Sequence, residues 1–113
     1  MSDGVHVFLC GRIPGGDVAG EKVRDDVVQG TLFEVDGVGS VLMLAGSSTI
    51  RGVVRRVPAA AIAEIDERAR VREGIFRRIG VQVGETPCWT WVAGPRLAPR
   101  LASGRRNRNG GDA

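Results

Sequence analysis

A chain of 113 residues, 42% apolar and 26% charged, is long enough for one hydrophobic core and too short to divide its apolar surface between two. That mixture is the composition of an ordinary globular domain and excludes disorder throughout; no apolar run approaches the ~20 residues that cross a bilayer as a helix. The formal charge of +3 sits at one end: residues 96–113 hold Arg96, Arg100, Arg105, Arg106 and Arg108 against Asp112, a net of +4 that leaves the preceding body near −1.

The first strand is expected over residues 5–10, short, apolar and β-branched, stopping at Gly11. Residues 11–20 carry four glycines and Pro14, too many breakers for a regular element, and read as a loop. Three further strands are expected over 27–35, 41–45 and 49–57, each bounded by Gly, Asp or Ser. Pro58 then opens a helix over 59–69, where Ala61, Ile62, Ile65 and Ala69 recur at helical spacing. Two last strands follow over 75–83 and 87–92, the second with Trp89 and Trp91 on one face. The expected fold is α+β: a small mixed sheet or barrel of about six strands with one main helix. Residues 1–95 form the domain and 96–113 a basic, disordered tail, whose composition buries too little apolar area to offset ordering entropy.

The start Met-Ser-Asp-Gly lacks the basic and apolar pattern of a signal peptide, which points to the cytoplasm. There Cys10 and Cys88 are expected as free thiols. His6 is the one histidine, so no zinc-like ligand spacing exists and no metal is expected.

Specific residues narrow the fold. The stretch Val7-Phe8-Leu9-Cys10-Gly11-Arg12-Ile13 resembles the strand-to-loop motif V-F-V-Y-G-T-L of the γ-glutamylcyclotransferase-like (AIG2-like) family. In the same order come residues 28–35 for its V-x-G-x-L-Y-D-L, with Gly30, and residues 50–57 for its V-x-G-E-V-Y-x-V, with Gly52. Residues 61–78 are similar to its helix-end signature L-D-x-x-E-G followed by Y-x-R, with the spacing from Asp66 to Phe76, Arg77 and Arg78 kept. The resemblance spans roughly residues 5–93.

Active members of that family cyclise γ-glutamyl amines or peptides to 5-oxoproline without a cofactor, and need backbone donors from the glycine loop and one carboxylate to move a proton. The resemblance implies ligand-binding positions at Cys10, Gly11, Arg12 and Ile13. Cys10 stands for the usual tyrosine and Arg12 for the usual threonine or serine, so a fixed cation at the pocket mouth suits an anionic small molecule; the bland alternative is a solvated Arg12 and a Cys10 that merely fills space. The fourth position of D-x-x-E is Ala69, which cannot accept a proton, so no catalytic residue is expected. Glu67 lies about 200° around the helix from Ala69 and points away. Glu73, four residues on in the turn before Gly74, is the substitute carboxylate that an altered loop path could swing inward, against its plainer reading as a solvated charge among arginines.

Three readings follow. The first is a catalytically inactive protein of this fold that binds a small ligand or serves as an assembly module. The second is an active cyclotransferase using Glu73. The third is an arginine tail that binds nucleic acid or an acidic partner, through phosphate contacts only because it has no interleaved aromatics. A homodimer is the favoured assembly, since sequence alone does not tell whether the last strand is covered; no membrane partner is expected.

Overall fold

The computed structural model describes residues 4–11 and 20–101 of the chain. The elements are β1 (Gly4–Leu9), β2 (Glu21–Val35), β3 (Gly39–Pro58), α1 (Ala61–Arg68), β4 (Phe76–Val83) and β5 (Thr86–Ala93). They form one five-stranded mixed sheet in the order β2-β3-β1-β5-β4. β1 runs antiparallel to β3 and parallel to β5, while β2 with β3 and β4 with β5 are antiparallel hairpins.

Five strands stand where about six were expected, because segments 41–45 and 49–57 belong to the single strand β3. The register with β2 jumps from Gly30↔Ser48 to Thr31↔Met43, so residues 44–47 bulge out between two paired halves. The Thr31 hydroxyl donates to the Ala45 carbonyl at 2.7 Å and closes the bulge. Such an insertion bends its strand. The first half of β3 thereby reaches β5 at Leu42↔Val92, while the second half stays beside β1 from Val53 to Pro58.

The curl brings the two outer strands near one another without closing a barrel through backbone pairing. Arg24 of β2 spans the gap: its guanidinium donates to the Thr86 hydroxyl at 3.1 Å, to the Val83 carbonyl at 2.9 Å and to Asp26 Oδ2 at 2.8 Å. The turn between β4 and β5 has two central residues, Gly84 and Glu85, with Gly84 at φ +60°, where a type II′ hairpin takes glycine.

Side chains alternate across the strands, so successive residues feed different faces. Val7, Val41, Val57, Phe76 and Trp91 pack with Ala61, Ile65 and Ala69 of the helical segment. Phe8, Val54, Val83 and Cys88 fill the opposite face, continued by Leu42, Ile50 and Val92. The helix is shorter than expected. Pro58 ends β3 rather than opening α1, Ala59 and Ala60 make a turn, and Ala60 caps the helix with no side-chain hydrogen bond. Leu97, in the stretch assigned to the tail, is buried in the main core at 2% exposure, and residues 98–101 add a helical turn. Residues 102–113, expected as a disordered basic arm, lie outside the described residues. Among those described, no helix is long and apolar enough to cross a membrane.

Candidate functional site

The end of β1, the start of β3, the C-terminus of α1 and the middle of β5 meet around a small cavity. It is lined by Phe8, Leu9, Cys10, Ser40, Leu42, Ile65, Ala69, Phe76, Thr90 and Trp91 and holds about 30 Å³. A water needs ~10–15 Å³ of such volume, so the space suits one or two waters or the head group of a larger molecule whose body stays outside.

Two of the residues singled out from the sequence, Cys10 and Ala69, thus face the same space although 59 positions separate them. Ala69 caps α1 at φ −81° and ψ 0° and is 2% exposed. The chain leaves the helix by the two hydrogen bonds of a Schellman turn: Val71 N–H to the Asp66 carbonyl and Arg70 N–H to the Glu67 carbonyl, both at 3.1 Å. Arg70 therefore takes the left-handed conformation, φ +55°, usually given to glycine, and the methyl of Ala69 turns inward.

Gly11 sits against Ser40 at the rim. Its φ is +66°, and a Cβ at this position would lie 2.4 Å from Ser40 Oγ and 2.5 Å from Ser40 Cβ. Both conformation and space demand glycine here, which fixes the first turn after β1 directly beside the Ser40 hydroxyl. Arg12 and Ile13, the other two expected ligand contacts, lie outside the described residues.

Burial pushes the Cys10 thiol up to about 11, so it stays protonated at neutral pH and offers no thiolate nucleophile. Cys88 is likewise raised, first by burial; both cysteines are free. Ser40, 7% exposed, donates its hydroxyl hydrogen to Glu34 Oε2 at 2.7 Å. Thr90, 2% exposed, donates to the Phe8 carbonyl at 2.8 Å. Trp91 lines the cavity with its ring and gives its indole N–H to Asp66 Oδ1 at 2.8 Å. The same carboxylate accepts from Arg78 Nε at 3.0 and 3.2 Å, and Arg78 in turn lies 4.4 Å from the Trp89 ring centroid. Asp66 therefore ties α1 to β4 and β5 and fixes the Trp91 ring over the cavity.

Glu73 is on the outside. Its Oε1 accepts from Arg70 Nη2 at 2.7 Å and Nε at 2.9 Å, and with Glu67 and Arg72 it borders an outer groove beside α1 rather than the cavity of Ala69. His6 and Trp89 border a third space, an open groove of about 540 Å³ between β1 and the β4–β5 hairpin. Trp89 and Trp91 share a face as expected, yet only Trp91 is in the core; Trp89 is 38% exposed. Among the described residues no three His, Cys, Asp or Glu side chains gather to hold a metal. The sequence reading missed Ser40, Glu34 and Thr90. Serine beside Gly39 reads as turn chemistry, and only the β2–β3 register brings it opposite Glu34.

This arrangement of a curled mixed sheet and one helix is a γ-glutamyl cyclotransferase-like fold. A solved structure named gamma-glutamyl cyclotransferase superposes with a TM-score of 0.60 at 15% identity, over 80% of this chain and 66% of that one. An uncharacterized protein of Pyrococcus horikoshii gives 0.63 at 16% identity, over 80% and 78%. An uncharacterized protein of Homo sapiens gives 0.64 at 16%, over 81% and 68%. The match spans just under two thirds of the first of these chains. No family model matches the sequence, and no curated protein matches it significantly.

Proposed function

We propose that this chain is a γ-glutamylcyclotransferase-like protein that no longer turns over substrate and uses the space between Ala69 and the Gly11 turn to hold the polar head of a small molecule, with Cys10 and Gly11, and the Arg12 and Ile13 that follow them in sequence, as its ligand-binding residues. One observation carries the reading. At the position where the resemblance calls for a proton-carrying glutamate, a methyl group faces the cavity from a residue 2% exposed.

Cyclisation of a γ-glutamyl compound forms a bond from its α-amine to its γ-carbonyl carbon and expels the leaving amine, so one proton must travel from the attacking nitrogen to the departing one. Among the described residues, no carboxylate lines the cavity. The thiol there is protonated, and the nearest substitute weighed from the sequence, Glu73, is paired with Arg70 on the outer surface. These observations support binding over turnover.

The test has two arms. Titration calorimetry against γ-glutamyl amino acids, small acids and small amines is expected to give heat from at least one of them. Incubation of concentrated protein with γ-glutamyl amino acids is expected to release no 5-oxoproline. Product in the second arm overturns the reading in favour of an active cyclotransferase, and silence throughout the first leaves the protein a structural role only.

A further inference from the structure

The β4–β5 hairpin is held differently along its length. From Phe76↔Ala93 to Gly80↔Trp89 it is built into the sheet: β1 joins it at Val7↔Trp89 and β3 at Leu42↔Val92. Beyond that level the pairs Val81↔Cys88, Gln82↔Pro87 and Val83↔Thr86 form an arm that, among the described residues, has no strand paired to either side. On its β1 side lies the open groove of about 540 Å³ bordered by Val5, His6, Pro87 and Trp89. On its β2 side the hydrogen bonds across the gap come, among the described residues, from Arg24, which reaches the Val83 carbonyl at 2.9 Å and the Thr86 hydroxyl at 3.1 Å.

Three features make this a latch and hinge. Asp26 Oδ2, 2.8 Å from Arg24 Nε on the same strand, holds the guanidinium in place before it meets the arm. Gly84 leaves it room, since a Cβ there would lie 3.2 Å from Arg24 Nη2. Gly80, at the level where the arm leaves the sheet, is a glycine that neither a positive φ nor close packing requires: a Cβ on it would meet nothing within 4 Å. What glycine supplies inside a strand in that case is backbone freedom. Beneath the arm, Val83 and Cys88 are 1% and 5% exposed and pack with Phe8 and Val54. We propose that residues 81–88 swing as one arm about Gly80 and Trp89, that Arg24 is the latch that keeps it shut, and that opening uncovers the Cys88 thiol and the apolar wall around it. The device holds whether or not the cavity beside Ala69 takes a ligand.

The test is alkylation of the native full chain by iodoacetamide at rising urea concentrations, read separately at Cys88 and Cys10 by peptide mass. The urea dependence of a labelling rate reports how much surface the opening exposes. At low urea, Cys88 is expected to label with a slope well below that of global unfolding; an equal slope in the wild type overturns the arm without any variant. Arg24→Met keeps an apolar stem and removes the donors, and is expected to speed Cys88 labelling about tenfold or more while Cys10, on the far side of the hinge, keeps its rate. An unchanged Cys88 rate, or equal acceleration at both thiols, overturns Arg24 as the latch. Gly80→Ala is expected to slow Cys88 labelling about two- to fivefold by restricting the opened backbone, and an unchanged or faster rate overturns the hinge.

Discussion

Replacing Asp66 by alanine tests whether one carboxylate sets the geometry above the cavity. Asp66 accepts the indole N–H of Trp91, a residue 8% exposed; leaving that donor buried without a partner costs about 1–3 kcal/mol. The variant also loses the Arg78 pair, whose side chains are 30% and 24% exposed, for about 0.5–1 kcal/mol. Alanine recovers roughly 0.6 kcal/mol of helix propensity within α1. The net loss is about 2 kcal/mol, which at roughly 4 °C per kcal/mol for a chain near this size lowers the melting temperature by roughly 8 °C. Asp66→Asn keeps an oxygen for Trp91 and is expected to cost about half as much. The decisive measurement is a double-mutant cycle by urea denaturation. In a Trp91→Phe background there is no N–H to orphan, so Asp66→Ala is expected to cost at least ~1 kcal/mol less than in the wild type. Costs that add to within about 0.5 kcal/mol would refute the claim that Asp66 acts through the Trp91 indole.

Arg70→Gly relieves a left-handed arginine, φ +55°, at the price of an exposed Arg70–Glu73 pair, and is expected to stabilise the fold by about 0.5–1 kcal/mol; a lower urea midpoint would show that the Schellman turn is not strained. Asp26 is held below the ordinary carboxylate value of 3.8 by the Val27 backbone N–H and then by Arg24. A depressed folded value means that its contribution is full above pH 3.8 and is lost as the pH falls below it. The wild type should therefore lose stability more steeply on acidification through that range than Asp26→Asn, and parallel curves would remove Asp26 from the clasp between β2 and the β4–β5 turn.

Patterns written in single residues or short periods were legible from the sequence: the β1 strand that stops before the Gly11 turn, the helix spacing of Ala61, Ile65 and Ala69, and the mixed α+β class. The merging of two strands into β3 was not, because Gly46, Ser47 and Ser48 are turn residues in any local reading, and only the register jump from Gly30↔Ser48 to Thr31↔Met43 and the Thr31 bond to Ala45 show residues 44–47 to be a bulge. Leu97 and Leu101 stand four apart, a helical signal outweighed by the arginines around them. Trp89 and Trp91 are equivalent by alternation; Trp91 lies under the helix that holds Asp66, whereas Trp89 borders the open groove beyond.

The residues that carried the family resemblance also have reasons to be present that involve no chemistry. Gly11 is fixed by its backbone angle and by Ser40. A Cβ on Gly52 would strike the Phe8 ring at 2.5 Å and the Leu9 carbonyl at 2.6 Å, so that glycine lets β3 pass beneath the end of β1. Asp66 and Arg78 hold the helix to the sheet through their own ion pair and through Trp91. None of these roles needs the side chain at position 69 to be acidic. A family whose signature is mostly a packing code can lose its one proton carrier and keep its shape, because removing a buried carboxylate relieves a desolvation cost rather than a structural bond. The fold alone is therefore poor evidence for turnover in any chain of this kind, and the proposal of recognition without reaction stands instead on the methyl group that Ala69 presents to the cavity.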